Sequence, residues 1–139
     1  MGLYQLMFYV YELTVGGEPY YGFTSRHPRI RLEEHLKTAE TGKWKHKSKL
    51  YPVLHEMELE HTFKILKETD SELEALLFEI AAIRSAGKSN TLNLSDGGEG
   101  STITLKTREV NGAMQVMVVP RKKPRKGKRK KYNRRRYKR

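Results

Sequence analysis

The last 19 residues, 121–139, hold 14 Lys and Arg and no Asp or Glu. A segment of that charge repels itself and cannot bury a core, so on its own it is expected to be disordered. Whatever folds must therefore fold within residues 1–120. The chain as a whole has 28 basic and 16 acidic side chains and a charge of +12; removing the tail leaves 14 against 16, a body of net charge −2. A body of that size has room for one compact domain and excludes a multidomain enzyme.

The absence of cysteine excludes disulfide scaffolds, thiolate metal sites and cysteine nucleophiles. No run approaches the roughly 20 apolar residues of a membrane span. The start MGLYQLMFYVYEL has neither a basic leader nor a small-residue cleavage site, and Leu6 stands where a myristoylation signal needs Ser or Thr. These features predict a soluble, cytoplasmic protein without a membrane partner.

Residues 6–14 (LMFYVYELT) and 19–24 are rich in β-branched and aromatic side chains and flank Gly16-Gly17, which predicts a β-hairpin. Pro28 fits the first turn of a helix running to about residue 40, with Ile30, Leu32, Leu36 and Ala39 apolar among charges. A lysine-rich loop over 43–49 leads to a short helix from about 49 to 58, with Leu50, Val53, Leu54 and Met57 at helical spacing. Residues 61–67 (HTFKILK) read as a third strand. Asp70-Ser71 caps a helix to about residue 86, closed by Gly87, with Leu73, Leu76, Leu77, Ile80 and Ile83 as its core stripe. A polar, glycine-rich loop over 93–100 (NLSDGGEG) precedes a second hairpin, 103–110 and 113–119 about Asn111-Gly112, and Pro120 ends this organisation. The prediction is an α+β fold: a small antiparallel three-stranded sheet flanked by helices in 1–100, a β-hairpin extension in 101–120, and the tail.

Within that frame Glu79 is anomalous. In ALLFEIAAI, residues 75–83, it is the only polar side chain, and with Ile80 central to the stripe it falls about 100° round, on the shoulder of the buried face. A carboxylate there is costly unless it is paired or holds a cation, although such a Glu by itself more often snorkels to solvent or bridges to an arginine. Arg31 and His35 share a helix face by their spacing of four. Tyr11 and Tyr20 sit on opposite strands of the first hairpin, where tyrosines usually serve packing.

In order along the chain, however, Tyr9-Val10-Tyr11, Tyr20-Tyr21-Gly22, Arg31, His35, Glu79 and Asn93 resemble the motif set of the GIY-YIG nuclease family, over about residues 9–100. The loop LNLSDGGEG is similar to the one that follows the asparagine in phage-type members. Tyr9 replaces the glycine of the first motif and Tyr21 the isoleucine of the second. Tyr11 is taken as the motif tyrosine because Val10 then occupies the buried position of its isoleucine.

The resemblance implies a metal-dependent endonuclease that hydrolyses DNA phosphodiester bonds. Its catalytic set would be Tyr11, Tyr20, Arg31, His35, Glu79 and Asn93, with one Mg²⁺ or Mn²⁺ held by Glu79 and no nucleotide cofactor. Tyr11 would be the general base and Arg31 the ligand of the scissile phosphate. Tyr20 would orient water or phosphate, His35 would bond Tyr11 or carry its proton, and Asn93 would brace the site or simply make a turn. A phenol is a poor base at pH 7, so neighbouring cations are expected to favour the phenolate and the rate to rise on the alkaline side.

Two cationic segments complete the reading. In the loop, Lys43, Trp44, Lys45, Lys47 and Lys49 interleave charge with an indole and suit a phosphate backbone or a base. In the tail, Arg121, Lys122, Lys123, Arg125, Lys126, Lys128, Arg129, Lys130, Lys131, Arg134, Arg135, Arg136, Lys138 and Arg139 suit nucleic acid with little sequence preference and strong salt dependence. DNA is the expected partner, with RNA and the oligomeric state left open. The competing reading keeps the fold without turnover, as a nucleic-acid-binding or packaging protein.

Overall fold

The computed structural model describes residues 6–44 and 47–120; Lys45 and the tail, with the disorder and binding expected of it, lie outside them. β1 (Phe8–Val15) and β2 (Glu18–Thr24) form the first hairpin, turning through Gly16 and Gly17 at φ 58° and 83°, values that disfavour other residues. α1 (Pro28–Glu40) and α2 (Leu50–Glu56) follow, then β3 (Thr62–Thr69), α3 (Glu72–Ala86) and a single 3-10 turn at Lys88–Asn90. β4 (Ile103–Val110) and β5 (Ala113–Pro120) form the second hairpin. The fold is thus α+β, with an antiparallel sheet in the order β2-β1-β3 and a separate two-stranded hairpin. Among the described residues no helix is long and apolar enough to cross a membrane.

The central strand β1 is buried on both faces. Tyr11, Leu13 and Val15 pack with Leu32 and Ala39 of α1, Leu50 and Leu54 of α2, and Leu92. Phe8 and Val10 pack with Ala75 of α3 and Phe23 of β2. A bulge in β3, where the register steps from Val10↔Lys67 to Tyr11↔Ile65, falls at the point where the two clusters meet along β1.

α3 begins at Ser71, whose hydroxyl accepts the Glu74 N–H at 3.1 Å. Its buried arc runs through Ala75, Leu76, Glu79, Ile80 and Ile83, which corrects the expected stripe: Leu73 and Leu77 are exposed, and Glu79 lies inside the arc rather than on its shoulder. The helix has two apolar partners. Ala75 faces the sheet, while Leu76 and Ile80 meet Leu105 of β4 with Ile103 and Met114 alongside. In α1, Ile30 is likewise exposed, and the buried positions are Pro28, Leu32, His35 and Ala39.

The loop after α3 closes over the helix. The Leu105 N–H bonds Gly98 O at 2.7 Å and the Gly100 N–H bonds Ile103 O at 3.0 Å, which ties the loop to β4. The Glu72 carboxylate accepts from the backbone N–H groups and hydroxyls of Ser101 and Thr102. The second hairpin is therefore anchored at its base, while Val116, Met117 and Val118 of β5 stay exposed.

Candidate active site

Tyr11 is placed by the strand pairing. It stands opposite Gly22 across the β1–β2 ladder, and a Cβ on Gly22 would lie 2.2 Å from both the Tyr11 hydroxyl oxygen and Cζ. Only glycine lets the phenol lie over β2. Tyr11 Oη is 2.7 Å from His35 Nε2, and His35 Nδ1 is 3.0 Å from Tyr51 Oη, so a hydrogen-bonded chain runs from β1 through α1 to α2. Burial, with the Arg31 charge adding to it, pushes the His35 pKa down to about 3. The imidazole is therefore neutral at pH 7, with one ring nitrogen donating and the other accepting.

The Tyr20 ring lies 6.3 Å from that of Tyr11 and meets the His35 ring edge-on at 5.4 Å. Burial pushes the Tyr20 hydroxyl up to about 12, opposed by Arg31. Burial likewise raises the Tyr11 hydroxyl well above its ordinary value, and the Arg31 guanidinium only partly offsets it. Desolvation thus outweighs the Arg31 charge that was expected to favour the phenolate. Tyr21, at the position where the resemblance expects an isoleucine, finds a partner for its hydroxyl in Glu12, directly opposite on β1.

Arg31 projects from α1 and pairs through Nη1 with Glu34 Oε1 at 3.1 Å, an oxygen that Arg26 Nη2 also reaches at 2.6 Å. These side chains are all at least a third exposed, and pairs of that kind contribute at most about 1 kcal/mol, so Arg31 can exchange Glu34 for another anion at small cost.

Glu79 is 7 % exposed, and its Oε1 accepts the Gly98 N–H at 3.0 Å. Burial pushes its pKa up to about 7, the Gly98 N–H pulling down and the Glu99 charge pushing further up. Gly97 and Gly98, at φ 86° and 92°, bring the loop backbone onto the carboxylate; a Cβ on Gly97 would stand 3.1 Å from Oε1. Asn93 braces the outer edge of β2, where its Oδ1 accepts the Tyr21 N–H at 2.9 Å and its Nδ2 donates to Tyr21 O at 2.8 Å.

Tyr11, Tyr20, Arg31, Glu79 and Asn93 all line one cleft of about 220 Å³, together with Tyr21, Phe23, Ser95, Gly97 and Glu99. His35 sits behind it, against Tyr11. The sequence-predicted site residues therefore converge from β1, β2, α1, α3 and the loop after α3. The lysine loop divides: Lys43 is exposed, whereas Trp44, Lys47 and Lys49 line a neighbouring cavity, Lys49 Nζ lying 3.4 Å from Asn93 O.

Two residues of the site escaped the sequence reading. Tyr51 continues the chain from His35, but nothing in its local pattern distinguishes it from a packing aromatic on a short helix. Glu99 adds a second carboxylate at the mouth, and its position in a glycine-rich loop could have drawn notice. Among the described residues no three His, Asp or Glu side chains gather as a metal cage. Comparison with protein-family models, curated proteins and solved structures finds no match for this chain.

Proposed function

We propose that the cleft hydrolyses phosphodiester bonds of DNA with one divalent ion, and that the chain is an endonuclease of the GIY-YIG type. The convergence of Tyr11, Tyr20, Arg31, Glu79 and Asn93 in a single cleft carries this reading. Strand pairing alone brings Tyr11 near Tyr20, but Arg31 of α1 and Glu79 of α3 reach the same cleft from separate elements, which supports a shared role.

The donor set fits a hard ion. Glu79 uses Oε1 on the Gly98 N–H, and none of the ion pairs among the described residues neutralises it. One carboxylate, with Glu99 at the mouth, suits Mg²⁺, which keeps most of its waters and takes the rest of its shell from phosphate. When bound, the ion would offset the charge that builds on the phosphate and the leaving oxygen.

The remaining chemistry belongs to the chain. Arg31 exchanges Glu34 for the scissile phosphate and pairs with its non-bridging oxygens as negative charge grows. A water beside Tyr11 forms the new P–O bond while the P–O3′ bond breaks. Its proton passes to Tyr11 Oη as the Tyr11 proton moves to His35 Nε2 and the Nδ1 proton moves to Tyr51 Oη, which releases its own hydroxyl proton to solvent in the adjoining cavity. In such a relay Tyr11 never exists as a free phenolate, so its raised pKa is compatible with a role as base. The leaving 3′ oxygen takes its proton from solvent.

The test is supercoiled plasmid incubated with the full chain and Mg²⁺, Mn²⁺ or EDTA. Nicked or linear product with either metal and none with EDTA is the expected result. Plasmid retarded but uncut in every lane, with a bulged duplex likewise uncut under the same conditions, refutes hydrolysis and leaves a nucleic-acid-binding protein.

A further inference from the structure

A second cavity borders the cleft and is larger than the cleft itself. It measures about 490 Å³ against about 220 Å³, and Tyr20, Asn93, Ser95 and Glu99 line both, so a ligand whose phosphate sits in one extends naturally into the other. On the nuclease reading a phosphate and its metal would need only the smaller space. The walls of the larger one suit a particular chemistry. The rings of Trp44 and Tyr51 stand 6.3 Å apart at 45°, forming a corner of two aromatic faces, and Trp44 is backed by His55, edge-on at 6.1 Å. Lys47 and Lys49 add two ammonium groups to the lining. Aromatic faces beside cations, at the scale of one base and one phosphate, are how single-stranded nucleic acid is held without sequence readout.

A base inside a duplex cannot reach such a cavity, because its faces are stacked and its edge is paired. We propose that this cavity receives one unpaired nucleotide next to the scissile bond, its base against Trp44 and Tyr51 and its phosphate on Lys47 or Lys49. The substrate class is then DNA with an unpaired residue at the cut, such as a bulge, flap or junction, in preference to continuous duplex. The assignment of the adjoining bond as scissile rests on the nuclease reading above; the base-binding role of the cavity does not. Tyr51 links the two spaces, since it lines the cavity and ends the hydrogen-bonded chain from Tyr11, so a seated nucleotide covers the outer end of that chain.

Trp44 is the only tryptophan in the sequence beside eight tyrosines, so fluorescence excited selectively at the indole reports on this cavity. The full chain is titrated in EDTA with two duplexes of equal length and sequence, one carrying a single extra unpaired adenine, at salt high enough to weaken the shared phosphate contacts. The bulged duplex should quench Trp44 at about tenfold lower concentration, the scale of one base stacked on an aromatic ring. With 2-aminopurine in the bulge, the emission of the base should fall on binding and should fall clearly less with the Trp44→Leu variant, which keeps only the Tyr51 face and whose fold is checked by circular dichroism. Coincident titrations of the two duplexes, or equal 2-aminopurine quenching by the variant, overturn the cavity assignment whatever the plasmid assay gives. A bulge preference without metal-dependent cleavage keeps the cavity and refutes the nuclease.

Discussion

Replacing Glu79 by Gln should make the metal-free protein more stable, and more so as the pH rises. In the folded chain burial lifts the Glu79 pKa from 4.5 to about 7. Between those values the folded state holds a proton that the unfolded chain has released, so stability falls as pH rises. The contribution is fully present below pH 4.5 and lost above about pH 7. A shift of that size corresponds to about 3 kcal/mol, at about 1.4 kcal/mol per pH unit. The wild-type curve alone would hide part of it. His35, lowered from 6.5 to about 3, has the opposite sign: its contribution is present above 6.5 and lost as pH falls toward 3, so the two slopes oppose each other over the shared window. The variant keeps His35 and every other titrating group, so the difference between the proteins isolates Glu79. Urea denaturation of both proteins in EDTA at pH 4.5, 5.5, 6.5 and 8 is the assay. The stability of the variant relative to wild type should climb by about 3 kcal/mol from the lowest pH to the highest. Added Mg²⁺ at pH 8 should raise the wild type and leave the variant unmoved. A difference that stays flat across the range would mean that Glu79 is solvated, and the burial argument would fail.

Three further outcomes follow from the geometry. Gly22→Ala forces a Cβ to 2.2 Å from the Tyr11 hydroxyl, so it should cost roughly 1–3 kcal/mol in urea denaturation and abolish plasmid cleavage, whereas alanine at the exposed Gly17 should leave cleavage intact. Tyr51→Phe removes the hydrogen bond to His35 Nδ1 at a cost of about 1 kcal/mol and should slow cleavage with a changed pH–rate profile, which a packing role for Tyr51 would not produce. Ending the chain at Pro120 removes 14 cations, so DNA binding should weaken and the slope of log K against log salt should flatten; equal binding at every salt concentration would contradict a role for the tail.

What the sequence made legible was mostly local. The Gly16-Gly17 turn, the Ser71 cap and the Asn111-Gly112 turn each depend on a few neighbouring residues, and each element appears within a residue or two of its expected place. The rotation of α3 was not legible, because a single hydrophobic stripe presumes one partner. Here Ala75 meets the sheet while Leu76 and Ile80 meet Leu105, and Leu73 and Leu77 are left outside. For the candidate site, residue types in order singled out Tyr11, Tyr20, Arg31, Glu79 and Asn93, which share one cleft, but not what holds them there. The Gly98 N–H on Glu79, the clearance at Gly22 and the Tyr51 end of the chain through His35 are long-range contacts that no spacing encodes.

The most direct measurement is single-turnover cleavage of supercoiled plasmid by wild type, Tyr11→Phe, Arg31→Ala and Glu79→Gln, with bound DNA quantified in the same samples by filter binding. The account predicts metal-dependent nicking by wild type and at least about 100-fold slower nicking by each variant at comparable occupancy. Nicking by Glu79→Gln at the wild-type rate would contradict it.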